Sequence, residues 1–149
     1  MCIRDSICAA AEQAEHVELD ADFSSRTVRR IDQSIAMGAL FTAHQLGAKA
    51  IVALTASGST ALWMSRHRID IPIYALTPSL ATQRRMALIR NVRPLLMDES
   101  DDRDVALAQA ETHLKKRGIV DTGDVYAITC GEPMGSPGGS NMLKICRAG

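Results

Sequence analysis

Apolar and polar positions alternate along the chain in two rhythms, one of helical and one of strand spacing. From Val28 to Leu46 the residues Ile31, Ile35, Ala39, Thr42 and Leu46 recur three to four apart, which predicts a helix with one buried face. Small residues lie close to it (Ala36, Gly38, Ala39, Ala43), so a neighbour is expected to approach closely, and Gly47 fits a helix C-cap. Before it, the polar stretch Asp20 to Ser25 holds candidate caps. Ala50 to Leu54 reads as a buried strand, followed by TASGSTA and a helix to about Arg68. The pattern then repeats: strand Ile71 to Leu76, helix Leu80 to Asn91, strand Val92 to Met97, helix Asp104 to Gly118 and strand Asp124 to Cys130. Apolar strands separated by helices predict a parallel sheet covered on both faces.

The last connection differs. GEPMGSPGGSN, between Cys130 and Met142, is too short and too rich in glycine and proline for a crossover helix. Leu143 to Arg147 is therefore expected to return antiparallel beside its predecessor. The predicted fold is α/β: a three-layer α/β/α sandwich on a mostly parallel sheet of about five strands, the last antiparallel. It forms one domain over residues 7–149. Met1 to Ser6 lacks periodicity and joins awkwardly to the apolar Ile7 to Ala11 stretch, so it is expected to be a foreign or artefactual start with the true upstream part missing.

Composition narrows the function classes. Apolar residues make up 46% of 149, enough for a core, and no run approaches the roughly 20 residues of a membrane span. Lys plus Arg number 17 and so do Asp plus Glu, which argues against a nucleic-acid partner. Cys2, Cys8, Cys130 and Cys146 lack zinc-ligand spacing. Cys130 and Cys146 sit in strand-like segments and read as small buried hydrophobes. A cytoplasmic setting is expected in the absence of a secretory signal. The acidic run Asp98 to Asp104 (DESDDRD) reads as a solvated turn that caps the next helix, since it lacks the spacing and glycine of a calcium loop. His16, His44, His67 and His113 have no partner motif, and neither HExxH nor GxSxG occurs. No catalytic residue and no metal site is predicted.

Two loops carry candidate chemistry. Thr55, Ser57, Gly58, Ser59 and Thr60 lie between a buried strand and a helix, at the carboxyl edge where open parallel sheets bind ligands. Free N–H groups, hydroxyls and a glycine suit a phosphate, while a serine-rich capping turn is the alternative. The loop from Gly131 to Asn141 is either a lid that wraps a ligand or a long hairpin connection. Both loops leave the same edge of the sheet, so they are placed to clamp one ligand. Trp63, one turn into the helix, either stacks on that ligand or packs in a core or subunit interface.

Four segments in order, IDQSIAMGALFTAHQLGAKAIVALTASGSTA, IPIYALTPSLATQRRMALIRNVRPLLMD, KKRGIVDTGDVYAITCGEP and GSPGGSNMLKI, resemble the C-terminal domain of bacterial pyruvate kinases. The likeness extends from about Ile7 to Arg147. It implies a regulatory domain of an enzyme of glycolysis that makes pyruvate and ATP from phosphoenolpyruvate and ADP. The catalytic barrel, with its Mg²⁺ and K⁺, has no counterpart in this sequence, so no cofactor and no activity are expected of the chain alone. By resemblance Thr55, Ser57, Gly58, Ser59 and Thr60 hold the phosphate of an allosteric activator. Gly135, Ser136, Gly138, Gly139, Ser140 and Asn141 close over its other end. Ala56 stands where relatives activated by a bisphosphate often carry Lys, and Ser59 where many members carry Arg, which favours a sugar monophosphate or AMP. The implied partners are the missing catalytic domain and further copies in a homotetramer. The alternative is a structural self-association module with a vestigial phosphate pocket.

Overall fold

A computed structural model of the chain describes residues 3–14, 27–135 and 139–149. At its centre lies strand β1 (Ala50–Leu54), a run of five apolar residues that is buried throughout. Strands β2 (Ile73–Thr77) and β4 (Val125–Gly131) pair with β1 in parallel, one on each side. Strand β3 (Val92–Leu96) extends the sheet parallel beyond β2, and β5 (Ser140–Arg147) returns antiparallel against β4. The order is β3-β2-β1-β4-β5, so the chain reverses its direction of travel across the sheet between β1 and β4. Pro94 pairs with Ala75 on β3, which it can do because β3 is an edge strand and the missing N–H costs no ladder bond there.

The two faces of the sheet divide the core by the two-residue period of a strand. Ile51, Ala53, Ile73, Ala75 and Ala127 pack with helices α2 (Ile31–Leu46), α3 (Ser59–Ser65) and α4 (Leu80–Met86). Ala50, Val52, Leu54, Leu76 and Ile128 meet the buried side of α5 (Arg103–Lys116). The three-layer α/β sandwich with one antiparallel edge is therefore present. Elements fall within a few residues of their predicted places, although α3 and α4 stop earlier, at Ser65 and Met86.

One prediction is corrected. The buried face of α2 is not the stripe Ile31, Ile35, Ala39, Thr42, Leu46 but Asp32, Ala36, Ala39, Leu40 and Ala43. Ile31 is 69% exposed and Leu46 53%. The small side chains let the helix lie close to the sheet and to α3, so they occupy the inner side. Asp32 can join them because Arg30 grips both its oxygens, at 2.9 and 2.8 Å. Gly47 does terminate α2, in the left-handed conformation with φ 60°.

Helix α1 (Ile3–Ala14) runs across the predicted boundary after Ser6, with Ile3 and Ile7 exposed. The expected caps between Asp20 and Ser25, and His16, lie outside the described residues. Cys130 is fully buried as expected, whereas Cys146 is only partly so and Cys8 is exposed. No helix among the described residues is long and apolar enough to cross a membrane.

Candidate functional site

The reversal of strand order opens a crevice at the carboxyl ends of the strands, the place where open α/β sheets bind ligands. The chain leaves β1 through Thr55 to Thr60. Gly58 bends this turn with φ 83°, a conformation that glycine adopts without steric cost. Its N–H donates to Thr55 Oγ1 at 2.8 Å, and the Ser57 hydroxyl donates to Ser59 Oγ at 3.2 Å. A Cβ on Gly58 would lie 2.9 Å from Met86 Cγ, so the absent side chain also lets α4 press against the turn. Thr82 Oγ1 donates to the Ala56 carbonyl at 3.0 Å. Arg85 reaches the Ser57 carbonyl at 3.3 Å and Thr82 Oγ1 at 3.2 Å, which puts a guanidinium beside a turn that has no cation of its own.

Thr60 faces inward. Its side chain is buried and its hydroxyl lies 2.6 Å from that of Ser140, so the turn after β1 is joined to the far end of the glycine-rich loop. The base of that loop is closed twice more. Asn141 accepts from the Glu132 N–H at 2.9 Å and donates to the Glu132 carbonyl at 2.7 Å. Gly131 pairs with Ser140 across a register shift, and a Cβ on Gly131 would meet the Gly139 carbonyl oxygen at 2.7 Å. Ser136 and Gly138 lie outside the described residues.

Between turn and loop is a cleft of about 90 Å³. Thr55 and Ala56 line it on the β1 side, and Gly131, Met134, Gly135, Gly139 and Ser140 on the loop side. Leu54, Leu76 and Met97 form an apolar floor, while Asp98, Glu99, Ser100 and Asp101 make the opposite rim. Of the residues singled out from the sequence, Thr55, Gly135, Gly139 and Ser140 line the cleft. Ser57, Gly58, Ser59 and Thr60 lie in the same turn but do not contribute to its lining.

The rim and Arg85 were missed. The acidic run does cap α5, since Asp102 accepts from the Asp104 and Val105 N–H groups, but its preceding carboxylates border the cleft. The run itself was visible in the sequence; its position beside Thr55 depends on how β3 is placed in the sheet. Arg103, the neighbouring cation, is paired with Glu132 at 2.7 Å and Asp104 at 3.1 Å. Hydrogen bonds to Asp104 and then Glu132 push its pKa up.

Among the described residues, no histidine lines the cleft. His44 is exposed, and a ring nitrogen of His113 lies 3.0 Å from Arg117. Burial pushes the Cys130 thiol pKa up, which works against nucleophilic use. Trp63 stands apart from the cleft, half-buried against the α2–α3 core with the Arg66 guanidinium 4.1 Å from its ring centre. Among the described residues no three His, Cys, Asp or Glu side chains are grouped to hold a metal ion.

Residues 33–146 match the family described as pyruvate kinase, alpha/beta domain. The chain belongs to that family. The match begins within α2, ends within β5 and includes both loops of the cleft. The pyruvate kinase of Staphylococcus epidermidis is 36% identical over 141 residues, which is 94% of this chain and 24% of that protein. That of Haemophilus influenzae is 32% identical over 143 residues, 95% of the chain and 29% of the relative. That of Buchnera aphidicola is 31% identical over 146 residues, 97% and 30%. The chain thus spans less than a third of the curated relatives it matches, and corresponds to the C-terminal domain of a pyruvate kinase.

Proposed function

We propose that this domain binds a phosphorylated allosteric activator, a sugar monophosphate or AMP, in the cleft between the Thr55–Thr60 turn and the Gly131–Asn141 loop. The observation that carries this reading is the Thr60–Ser140 contact, which ties two loops of different strands around one opening at the strand-order reversal. Of the turn, Thr55 lines the cleft and brings a hydroxyl that can donate to a single phosphate, and Arg85 stands beside the same turn. A bound activator acts on a distant catalytic centre through the difference in its affinity for two states of the whole enzyme. In that enzyme the barrel, with Mg²⁺ and K⁺, converts phosphoenolpyruvate and ADP to pyruvate and ATP in the cytoplasm. The described residues of this chain do not fit a metal site, and we assign the chain alone no catalytic step. Calorimetric titration with ribose 5-phosphate, AMP and fructose 1,6-bisphosphate tests the reading: heat from a monophosphate is expected, and silence from all three with folded protein overturns it.

The domain is also proposed to contribute to a homotetramer. In support, β5 is an edge strand, and Ile31, Phe41 and Leu46 of α2 and Ile145 of β5 are exposed. Surfaces of this kind suit a self-complementary contact. A strict monomer in sedimentation at high concentration would count against both this role and the alternative of a purely structural self-association module.

A further inference from the structure

Resting on the effector-pocket reading, we propose that Thr82 and Arg85 of α4 are positioning residues for the Thr55 hydroxyl, the donor that the turn brings to the cleft. They act through the backbone of the turn and not on the ligand. Both reach it from one face of α4, three residues apart. The buried Thr82 donates through Oγ1 to the Ala56 carbonyl at 3.0 Å. Arg85 donates to the Ser57 carbonyl at 3.3 Å and, at 3.2 Å, to Thr82 Oγ1. Two successive carbonyls are thereby held against α4, whose start is fixed by the Ser79 cap on the Thr82 N–H. In a planar trans peptide the N–H points opposite to the carbonyl. The Gly58 N–H, which shares its peptide with the Ser57 carbonyl, therefore faces away from α4, and it donates to Thr55 Oγ1 at 2.8 Å.

The backbone does not set this direction alone. Gly58 has φ 83° and ψ 1°, the values of the third residue of a type II turn. Rotating the Ser57–Gly58 peptide by half a turn gives the type I form, which follows nearly the same path with N–H and carbonyl exchanged. Glycine accepts either form at little cost. The consequence falls on Thr55, which lines the cleft. Its Oγ1 accepts from the Gly58 N–H and so leaves its own proton free for a phosphate oxygen. In the flipped form the Ser57 carbonyl would face that hydroxyl and take the proton itself. Arg85 also polarises the peptide it grips, so each bond along the path strengthens the next. Its charge thus reaches the cleft although its side chain is exposed and does not line it.

A double-variant cycle on the full chain, with ribose 5-phosphate titrated by calorimetry, separates this path from a direct effect of the Arg85 charge. Thr55→Val should weaken binding about tenfold, and Arg85→Met or Thr82→Val about fivefold each. Thr82→Ser, which keeps the hydroxyl, should bind within about twofold of the unaltered chain. Added to Thr55→Val, Arg85→Met should cause less than about twofold further loss, because its path ends on the missing hydroxyl. Arg85 is exposed, so its variant remains informative even if Thr82→Val fails to fold. As a second measurement, the Gly58 amide proton resonance should move upfield in Arg85→Met as its hydrogen bond weakens. Full additivity of Arg85→Met with Thr55→Val, an unmoved Gly58 resonance or unchanged affinity in Arg85→Met overturns the positioning role while leaving the pocket intact. If the unaltered chain binds neither ribose 5-phosphate nor AMP, the effector-pocket reading falls, and the positioning role with it.

Discussion

Thr60 and Ser140 are 80 residues apart in sequence, yet their hydroxyls lie 2.6 Å from each other in the interior. Thr60 belongs to the first turn of α3, and Ser140 is the first residue of β5. Neither hydroxyl has another described partner, so removing one strands the other away from water. Thr60→Val and Ser140→Ala should each lower stability by about 1–2 kcal/mol, with the double variant losing less than the sum. Urea unfolding of the four proteins measures this coupling, and strict additivity would show that the contact contributes nothing.

Gly58 is constrained by its backbone and by its surroundings. With φ 83° and Met86 Cγ 2.9 Å from where a Cβ would stand, Gly58→Ala should cost about 2–3 kcal/mol. Because α4 carries Arg85, displacing it also moves the guanidinium from the turn, and monophosphate affinity should fall along with stability. Thermal unfolding and calorimetry on this variant separate the two losses. An unchanged midpoint would show that the close approach has no energetic weight.

Asn141 acts at the base of the glycine-rich loop. Its amide makes two hydrogen bonds to the Glu132 backbone, at 2.9 and 2.7 Å, in the manner of a further rung beyond the last strand pair. Asn141→Ala should leave global stability within about 1 kcal/mol, because the site is exposed. Exchange of the Glu132 amide hydrogen should nevertheless become faster by roughly tenfold, since local opening no longer breaks those bonds. If that amide is as well protected in the variant, the loop base is held by other contacts.

Acid stability should depend on Glu111. Lys115 at 2.9 Å, then the Gly149 N–H at 3.1 Å, hold its carboxyl below the ordinary glutamate value. A depressed folded-state pKa stabilises the fold above the unfolded value and is lost as pH falls through the folded one. Glu111→Gln should therefore be less stable at neutral pH and lose less on acidification below the ordinary value of 4.5. Parallel acid titrations of the two proteins, followed by circular dichroism, would show converging curves.

Thiol labelling offers a separate check on the sheet. Burial raises the Cys130 thiol pKa and shields it, while Cys8 is exposed. A thiol reagent should modify Cys8 rapidly and reach Cys130 only as the protein unfolds. Rapid modification of Cys130 in the native state would contradict the pairing of β4 with β5.

Much of this architecture is written locally in the chain. β1 is a five-residue apolar run, and a connection too short for a helix obliges β5 to turn back. Periodicity was less informative for α2, because it weights large side chains such as Ile31 and Leu46. The inner side of that helix is decided by how closely Ala36, Ala39 and Ala43 let it approach, a property of the pair of surfaces rather than of the helix. The site divides in the same way. The turn after β1 carries its own signature of glycine and hydroxyls, but Arg85 and Asp98 become its neighbours only through strand order, which no local pattern encodes.

The antiparallel return of β5 has a practical consequence. Starting at Ser140 on the cleft, the strand runs the height of the sheet, and Ala148 is fixed beside Gly123 and Asp124 by hydrogen bonds of 2.8 and 2.9 Å. At about 3.3 Å per residue, Arg147 stands roughly 20 Å or more from the opening. A fluorophore or surface tether attached after Gly149 would therefore leave the entrance clear, so ligand capture can be followed on an immobilised protein without the handle obstructing it.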